Sequence, residues 1–456
     1  MNFFNRFNDD KSIEIHQYQF KVKNVKNINI NLLDGIFEHA IIMVKDPHNI
    51  VRILFSFKSR FRSRFLSTEE IHTTNGAISG PILDGIWTLT IIKPSKRVKG
   101  KYQIEIRFDR EITLNDSNQY LTLKNNFYNE TSNVPNNSWV NTELHSHSYY
   151  SDGRVSLDEI KETINHKIDL YALTDHTMFT TKFPSGNYLF LPGSELTFDN
   201  EFHYNLYGCK ELIDFTKYFE GKKTITEVLE HCFKDLSKKY LLSINHPFAA
   251  EITRHHHFNI KYFNLLEVIN APYAIDEFID NEKAIRFFDY LWNHGYQLFG
   301  VGGSDAHKKN FHNTYPVGIP LTKLFLPESN ISSALNSLKN GHVYLLNQVN
   351  ARAKYEKNGK EVLPGSKNIE SITCKGYSQE LLTWRVIIDG KCIDQQITKN
   401  YNKVYQIKAG SYLRLEARKK GEIAVFVNPI SNHLKVNEHD ADIADLLSDF
   451  EKNELR

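Results

Sequence analysis

The chain of 456 residues lacks the features that define several protein classes. Its four widely spaced cysteines form no C-x-x-C pair, which excludes a disulfide framework and a thiolate zinc finger. No stretch reaches the roughly 18 apolar residues of a membrane span, and the first residues carry no apolar leader. With 56 basic and 54 acidic residues the net charge is +2, which gives no electrostatic footprint for nucleic acid or a membrane surface. We therefore expect a soluble, cytoplasmic protein without a membrane partner.

Histidine is the residue that the chain has in excess. Thirteen of its 20 histidines lie between His145 and His312, and the other seven are scattered. Histidine is the commonest metal ligand and the usual acid or base near neutral pH, so this segment is where chemistry is expected.

The length predicts about three domains, at roughly 150 residues each.

Residues 1–138 have the pattern of a β-sandwich. Short runs of alternating apolar and polar residues are separated by Asp-Pro, Asp-Gly and Pro-Ser turn signals, and no amphipathic helix interrupts them. Within this segment Arg60, Arg62 and Arg64 alternate with other residues, which predicts a strand with one solvated arginine face. Contact with nucleic acid is the alternative reading of the same pattern.

Residues 139–349 alternate between short apolar strands and capped helices. Capping boxes at Ser156–Glu159 and Thr224–Glu227 each open a helix. Repeated βα units predict a parallel sheet, either open and doubly wound or closed into a barrel. Residues 350–436 return to strands, with a hairpin turn at Asp389-Gly390, and predict a second small β-sandwich. Residues 437–456 predict an acidic amphipathic helix.

Six strand units of the 139–349 segment carry metal-capable side chains at or beside an end. In βα folds the C-terminal edge of the sheet is where sites are built. A single strand-end histidine is more often structural, but nine such side chains from one region favour a metal centre. Imidazole and carboxylate ligands without thiolate suit Zn²⁺, Mn²⁺ or Fe²⁺. The nine candidates are His145, His147, Asp152, His176, Glu195, His203, His246, Asp305 and His307.

The order H-x-H…SDG…TDH…GSE…H…NHP…SDAH closely resembles the polymerase-and-histidinol-phosphatase (PHP) metallohydrolases across residues 139–349. Two flanking segments, Gly341–Tyr344 and Ala424–Ile430, are similar to the carbaryl-hydrolase-like branch of that family. The resemblance implies an α/β fold, a distorted (β/α)7 TIM-like barrel, which the N-terminal and C-terminal β-sandwich domains would flank. It also implies two to three divalent metal ions.

The resemblance assigns the ligands as three sets. The first metal would take His145, His147, Glu195 and Asp305; the second would share Glu195 with His203 and His246; the third would take Asp152, His176 and His307. Two metals that share Glu195 would hold a bridging water and present it as hydroxide, while the third would bind a substrate oxygen. The residues expected to carry catalysis are thus Glu195, His176 and His307, with Asp175 as a proton acceptor, an orienting residue or a structural support.

Several neighbouring residues are weaker candidates. Arg154, Arg254 and Lys308, with Lys309, could bind a substrate anion, although the pattern favours solvated surface charge. The triplet His255–His257 is interpreted as a loop, because adjacent residues cannot readily turn three rings to one ion. Glu267 and Asn270 either line the floor of the pocket or fill the barrel.

The leading hypothesis is a divalent-metal-dependent hydrolase that acts on a small or phosphorylated substrate, most simply a phosphoesterase. A carboxylic ester or amide hydrolase is the alternative within enzymes. From another class, the barrel could be a metal-stabilised scaffold for a carbohydrate- or protein-binding module. The sequence leaves the metal, the substrate and the oligomeric state open.

Overall fold

The computed structural model describes residues 1–35, 39–109, 120–122, 134–165, 167–199, 202–250, 256–274, 278–310 and 312–455. As predicted, these residues form an α/β structure, in which strands outnumber helices. No helix within these ranges combines the length and the apolar character that crossing a bilayer requires.

The regular elements among the described residues of the N-terminal part are all strands. They are β1 Asn2–Arg6, β2 Glu14–Val22, β3 Asn27–Gly35, β4 Ile41–Lys45, β5 Val51–Ser56, β6 Ser63–Ser67, β7 Gly85–Lys93, β8 Lys101–Asp109 and β9 Tyr120–Thr122. Two antiparallel four-stranded sheets have the orders β1-β8-β3-β6 and β2-β7-β4-β5. Alternate side chains of both sheets share one apolar core, which fits the predicted β-sandwich.

The predicted solvated arginine face is wrong at Arg64. Its side chain is fully buried, with the guanidinium carbon 4.5 Å from the ring centroid of Phe55 and 5.0 Å from that of Tyr150. The guanidinium also donates hydrogen bonds to the carbonyl oxygens of Phe61 and Tyr150. Aromatic faces and carbonyl oxygens thus replace the water that the pattern led us to expect.

The central part alternates strands and helices. Its strands are β10 Ser138–Glu143, β11 Leu170–Leu173, β12 Lys182–Pro184, β13 Leu189–Leu196, β14 Tyr204–Tyr207, β15 Leu241–Ile244, β16 Leu265–Asn270, β17 Phe299–Gly303, β18 Leu321–Leu326 and β19 Val343–Leu346. Its helices are α1 Leu157–Ile164, α2 Thr216–Phe219, α3 Ile225–Leu236, α4 Asn281–Asn293 and α5 Ile331–Lys339. Both predicted capping boxes are present, at the starts of α1 and α3.

Within the run from β10 to β17, the central sheet differs from the predicted parallel sheet at β14, and beyond this run β18 also pairs antiparallel with β10. Neighbours pair in the order β10-β11-β13-β14-β15-β16-β17, and β14 is antiparallel to both β13 and β15. The link from Leu196 to Tyr204 is too short for the crossover that a parallel connection needs. A full set of parallel βα units therefore does not form.

The two outer strands of this run approach each other at one edge. The Asp305 amide donates to the His145 carbonyl at 2.8 Å, and the His147 amide donates to the Ala306 carbonyl at 2.9 Å. A Cβ atom at Gly303 would lie 2.2 Å from the His145 Cβ, so only glycine permits this approach. The pairing also continues from β10 through β18 and β19, so a closed seven-stranded barrel stays a prediction.

The C-terminal strands extend the same sheet. They are β20 Ala351–Lys357, β21 Lys360–Val362, β22 Ser371–Ile388, β23 Lys391–Gln406, β24 Ser411–Lys419, β25 Glu422–Val427 and β26 Ile430–Asn432, and helix α6 spans Ile443–Glu454. Asp389 and Gly390 both have positive φ angles in the predicted hairpin turn between β22 and β23. The apolar face of α6 is buried and packs against α4. The domain boundaries at 138, 349 and 436 stay predictions.

A buried charge cluster joins the C-terminal strands to helix α4. Arg414 on β24 donates to both oxygens of Asp289 on α4, at 2.9 and 2.7 Å. Its second partner, Glu416, is fully buried and also accepts from Arg385 and Arg418 at 2.9 Å each. Burial raises the pKa of Glu416, but the arginines outweigh burial and lower it to about 2.

We expect Glu416→Gln to lower the free energy of unfolding by about 3 kcal/mol at pH 7, because it leaves buried arginine charge without its partner. The folded pKa lies below the ordinary value of 4.5, so this stabilisation is complete above pH 4.5 and is lost as the pH falls towards 2. Urea unfolding at pH 7, 5 and 3 should show the difference from wild type shrinking at pH 3. Glu211→Gln, in an exposed pair with Lys239, should cost under about 1 kcal/mol. If the difference in unfolding free energy between wild type and Glu416→Gln did not change with pH, the ionised Glu416 carboxylate would not be its cause.

Candidate metal centre

The metal-capable side chains lie at one edge of the central sheet, where β10, β11, β13, β15 and β17 end. Parallel strands bring their carboxyl ends to a common edge. Because β14 runs in the opposite direction, His203 at its beginning lies at this edge too. The structure brings all nine predicted candidates into overlapping groups: His145, His147, Asp152, His176, Glu195, His203, His246, Asp305 and His307.

The first predicted set forms a tight, buried group. Nε2 of His145 lies 3.1 Å from a Glu195 oxygen and 3.3 Å from Asp305 Oδ1. Nε2 of His147 lies 3.4 Å from the other Glu195 oxygen and 3.0 Å from Asp305 Oδ1. Both nitrogens and Asp305 Oδ1 are buried without a hydrogen bond of acceptable geometry. The atoms are therefore close to one another without being aligned for hydrogen bonding.

These separations fit a shared cation. Four ligands placed tetrahedrally at about 2.1 Å from Zn²⁺ lie about 3.4 Å from one another. The four measured separations, from 3.0 to 3.4 Å, come near this value. A buried polar atom without a partner costs free energy, and a cation among these atoms would remove that cost. The residues present thus fit a divalent metal ion.

The other two sets adjoin the first. Nδ1 of His203 and Nε2 of His246 each lie 3.4 Å from Glu195 Oε1. On the opposite side, Asp152 lies 3.5 Å from Nε2 of His176 and 3.2 Å from Nε2 of His307. The groups of ligand candidates share more residues than the three sets predicted from the sequence. In addition to their predicted sets, His147 belongs to the Asp152 group, and His145 belongs to a group with His246 and Asp305.

The charges of the centre are strongly coupled. Burial and neighbouring imidazoles lower the pKa of His147 to about 3, and burial lowers the pKa of His203 to about 4. Both rings are therefore neutral near pH 7, in the form that binds a metal. Burial also disfavours the charged form of His307, but Asp152 outweighs it and raises the pKa of His307 to about 10. The carboxylates of the centre thus favour positive charge close to them.

Two glutamates behind the ligands hold them in place. Glu267 accepts hydrogen bonds from Nδ1 of His145 at 3.1 Å and from the backbone amide of His246 at 2.9 Å. Glu143, which sequence reasoning missed, accepts from the backbone amides of His145 and Ser304, at 3.0 Å each. Its position in the strand that leads to the H-x-H motif could have indicated that Glu143 lies close to the ligands. Glu267 thus supports the ligands from behind.

Both carboxylate oxygens of Asp175 are bonded to the adjacent loop, which they support. Its two oxygens accept hydrogen bonds from the amide and hydroxyl of Ser148 at 2.7 and 2.6 Å, and from the Ser151 hydroxyl at 2.6 Å. These contacts fix the loop that leads from His147 to Asp152. Asp175 therefore has the geometry of an orienting residue rather than of a proton acceptor for substrate.

A cavity of about 360 Å³ opens onto the centre. Of the predicted anion-binding residues, Arg154 and Lys308 line it, whereas Lys309 pairs with Glu159 at 2.8 Å. Arg254 and His255 lie outside the described residues. The cavity is also lined by three residues that were not predicted as site residues, because they come from loops of the N-terminal part: His39, Lys58 and Arg60.

The remaining histidines of the triplet do not join the centre. Nδ1 of His256 bonds to the Tyr204 hydroxyl at 2.9 Å, and its Nε2 lies 3.4 Å from Asp199. His257 bonds to Asp442, at the start of α6. Backbone strain instead marks two predicted ligands, since His246 and Asp305 have φ angles of 24° and 49°. Positive φ at such residues is costly and concentrates at functional sites.

The comparisons with known proteins give distant matches. No protein-family model and no curated protein matches the chain. Among solved structures, a two-domain protein from Bacteroides vulgatus containing a predicted PHP-like metal-dependent phosphoesterase is 14% identical. That match covers 73% of this chain and 100% of the other, with a TM-score of 0.35. An FMN-binding β-glucuronidase from Facaelibacterium prausnitzii is 8% identical over 94% of this chain and 92% of the other, with a TM-score of 0.17.

Both likenesses are too distant to carry an argument, and the carbaryl-hydrolase-like branch has no counterpart in these two matches. The interpretation of the site therefore rests on its own geometry.

We expect Glu267→Gln to weaken the binding of Zn²⁺ or Mn²⁺ about ten- to a hundredfold, because the His145 ring and the His246 backbone lose a charged acceptor. Competition with a chromogenic chelator measures this affinity directly. Glu220→Gln, an exposed residue after α2, is the matched control and should bind metal as wild type does. Unchanged affinity in Glu267→Gln would show that this carboxylate supports the fold and not the centre.

Proposed function

We propose that the chain is a divalent-metal-dependent hydrolase of the PHP type and that its reaction is phosphoester hydrolysis. One observation carries the proposal: the fully buried Glu195 carboxylate lies within 3.4 Å of imidazole nitrogens from five histidines. A carboxylate among neutral and protonated imidazoles is a poor structural core, whereas it is a common way to hold Zn²⁺, Mn²⁺ or Fe²⁺. The unpaired buried atoms described above support the same conclusion.

In this proposal the ligands form three sets around Glu195. The sets are His145, His147, Glu195 and Asp305; Glu195, His203 and His246; and Asp152, His176 and His307. Bound divalent ions would supply an activated water and neutralise charge that develops on phosphorus oxygens. His307 has 29% of its side chain exposed, more than the other five proposed imidazole ligands, so it is the ligand best placed to touch substrate.

Other residues would act on the substrate or on the ligands. Arg154 and Lys308 line the cavity and would attract and orient an anionic group. Asp175 would keep the loop of Asp152 in register through Ser148 and Ser151. We also propose that β10 to β17 close as a distorted (β/α)7 barrel, which the hydrogen bonds between residues 145–147 and 305–306 support.

The direct test is turnover by purified protein loaded with Mn²⁺ or Zn²⁺. We expect hydrolysis of p-nitrophenyl phosphate that a chelator abolishes and added metal restores. Asp305→Ala should lower kcat/KM about a hundredfold or more, because it removes an oxygen ligand from the first set. Asp445→Ala, at an exposed position on α6, serves as the control. Full activity in Asp305→Ala would contradict the proposal, and so would a wild type that holds no metal.

A substrate panel separates the alternatives. We expect kcat/KM for phosphoesters to be at least tenfold higher than kcat/KM for p-nitrophenyl acetate. Preference for the acetate would indicate a carboxylic ester hydrolase. Metal-dependent melting without turnover of any ester would indicate the metal-stabilised binding scaffold.

A further inference from the structure

The cavity over the centre has a wall that the ligand-bearing segment does not supply. His39 precedes β4, and Lys58 and Arg60 lie in the turn between β5 and β6, so all three belong to the N-terminal sheets. They line the same cavity as the proposed ligands. The N-terminal sheets therefore take part in the site.

This wall is attached to the ligand loops by specific contacts. The backbone amide of Arg60 donates to the Ser151 carbonyl at 2.7 Å, and its Nε donates to the Asp152 carbonyl at 2.7 Å. The Ser56 hydroxyl donates to the His176 carbonyl at 3.3 Å. The position of the wall relative to the centre is thus fixed by hydrogen bonds.

His39 is the most buried of the three residues of the wall. Its side chain is 3% exposed, and its ring centroid lies 5.4 Å from that of His176 and 6.3 Å from that of His203. Nδ1 of His39 is buried and has no hydrogen-bond partner. A buried polar atom beside a cavity and without a partner is a candidate for contact with a ligand.

The charged side chains that line the cavity are of both signs. Among the described lining residues, the carboxylates are Asp152, Glu195 and Asp305, and all three are members of the imidazole cluster. The lysine and arginine side chains come from both parts of the chain, Lys58 and Arg60 from the N-terminal part and Arg154 and Lys308 from the ligand-bearing segment. The apolar lining of the described part consists of Ala249 and Ile279. The described lining therefore combines four cationic side chains with a small apolar surface.

We propose that Lys58, supported by His39 and Arg60, is a specificity-determining residue that binds a non-reacting oxygen of a phosphomonoester. This inference rests on the proposed phosphoesterase function and narrows its substrate class. A monoester carries a dianionic phosphoryl group and one organic substituent, which matches the four cationic side chains and the small apolar surface of the described lining. A diester would place a second substituent against the cationic wall, and a neutral ester would leave that wall without a charged partner.

The test measures binding of inorganic phosphate to the metal-loaded protein by calorimetry, beside kcat/KM for p-nitrophenyl phosphate and bis(p-nitrophenyl) phosphate. Lys58→Ala should weaken phosphate binding about tenfold and lower kcat/KM for the monoester by a similar factor, because a charge-assisted hydrogen bond is lost. The diester should change less than threefold. Lys58→Arg should recover most of the loss. Lys96→Ala, an exposed lysine in the N-terminal part, is the matched control and should behave as wild type.

Elemental analysis of each variant separates this inference from the function on which it rests. Wild-type phosphate affinity in Lys58→Ala overturns the inference while leaving the phosphoesterase intact, and so does an equal loss for the monoester and the diester. Loss of metal from Lys58→Ala also overturns it, since Lys58 would then support the centre. If the wild type holds no metal and hydrolyses no phosphoester, the proposed phosphoesterase function is wrong. If the wild type then still binds phosphate and Lys58→Ala still weakens that binding, Lys58 is part of an anion-binding site without catalysis.

Discussion

The structure depends on the burial of one carboxylate. Glu195 is fully buried, and five imidazoles approach it within 3.4 Å, while the Asn245 amide donates to it at 2.8 Å. Removing a carboxylate from water costs several kcal/mol unless charge and hydrogen bonds replace the solvent. The surrounding strand ends must therefore bring positive charge or a cation to this point. Positive φ angles at His246 and Asp305 are the local cost of doing so.

The reversal of β14 is part of this construction. In an antiparallel position the strand begins at the edge where its neighbours end, so His203 reaches Glu195. A parallel β14 would place its first residue at the opposite edge, about 13 Å away for a four-residue strand. The short connection that prevents a crossover helix thus also places a ligand candidate. The reversed direction of β14 and the presence of His203 in the site therefore have the same cause, which is the short connection after β13.

The sequence made the ligand candidates predictable because strand-end residues in βα units converge whatever the details of the sheet. His145, Glu195 and Asp305 could be grouped for this reason, and the capping boxes located α1 and α3 from local chemistry alone. The wall of His39 and Lys58 could not be predicted, since it depends on how two separately patterned parts of the chain pack. The burial of Arg64 was missed for a related reason: period-2 alternation gives two faces but does not say which one meets aromatic rings.

The loop that carries Asp152 shows why the N-terminal sheets are more than an attached module. Arg60 holds the Asp152 carbonyl from one side, the Arg154 amide donates to the His307 carbonyl at 2.6 Å from another, and Asp175 anchors the loop through Ser151. Positioning a ligand within a fraction of an ångström requires its supports to be rigid in all directions. One of those supports belongs to the N-terminal part. Separating the two parts would therefore free the loop of Asp152 as well as open the cavity, so the two parts form the site together.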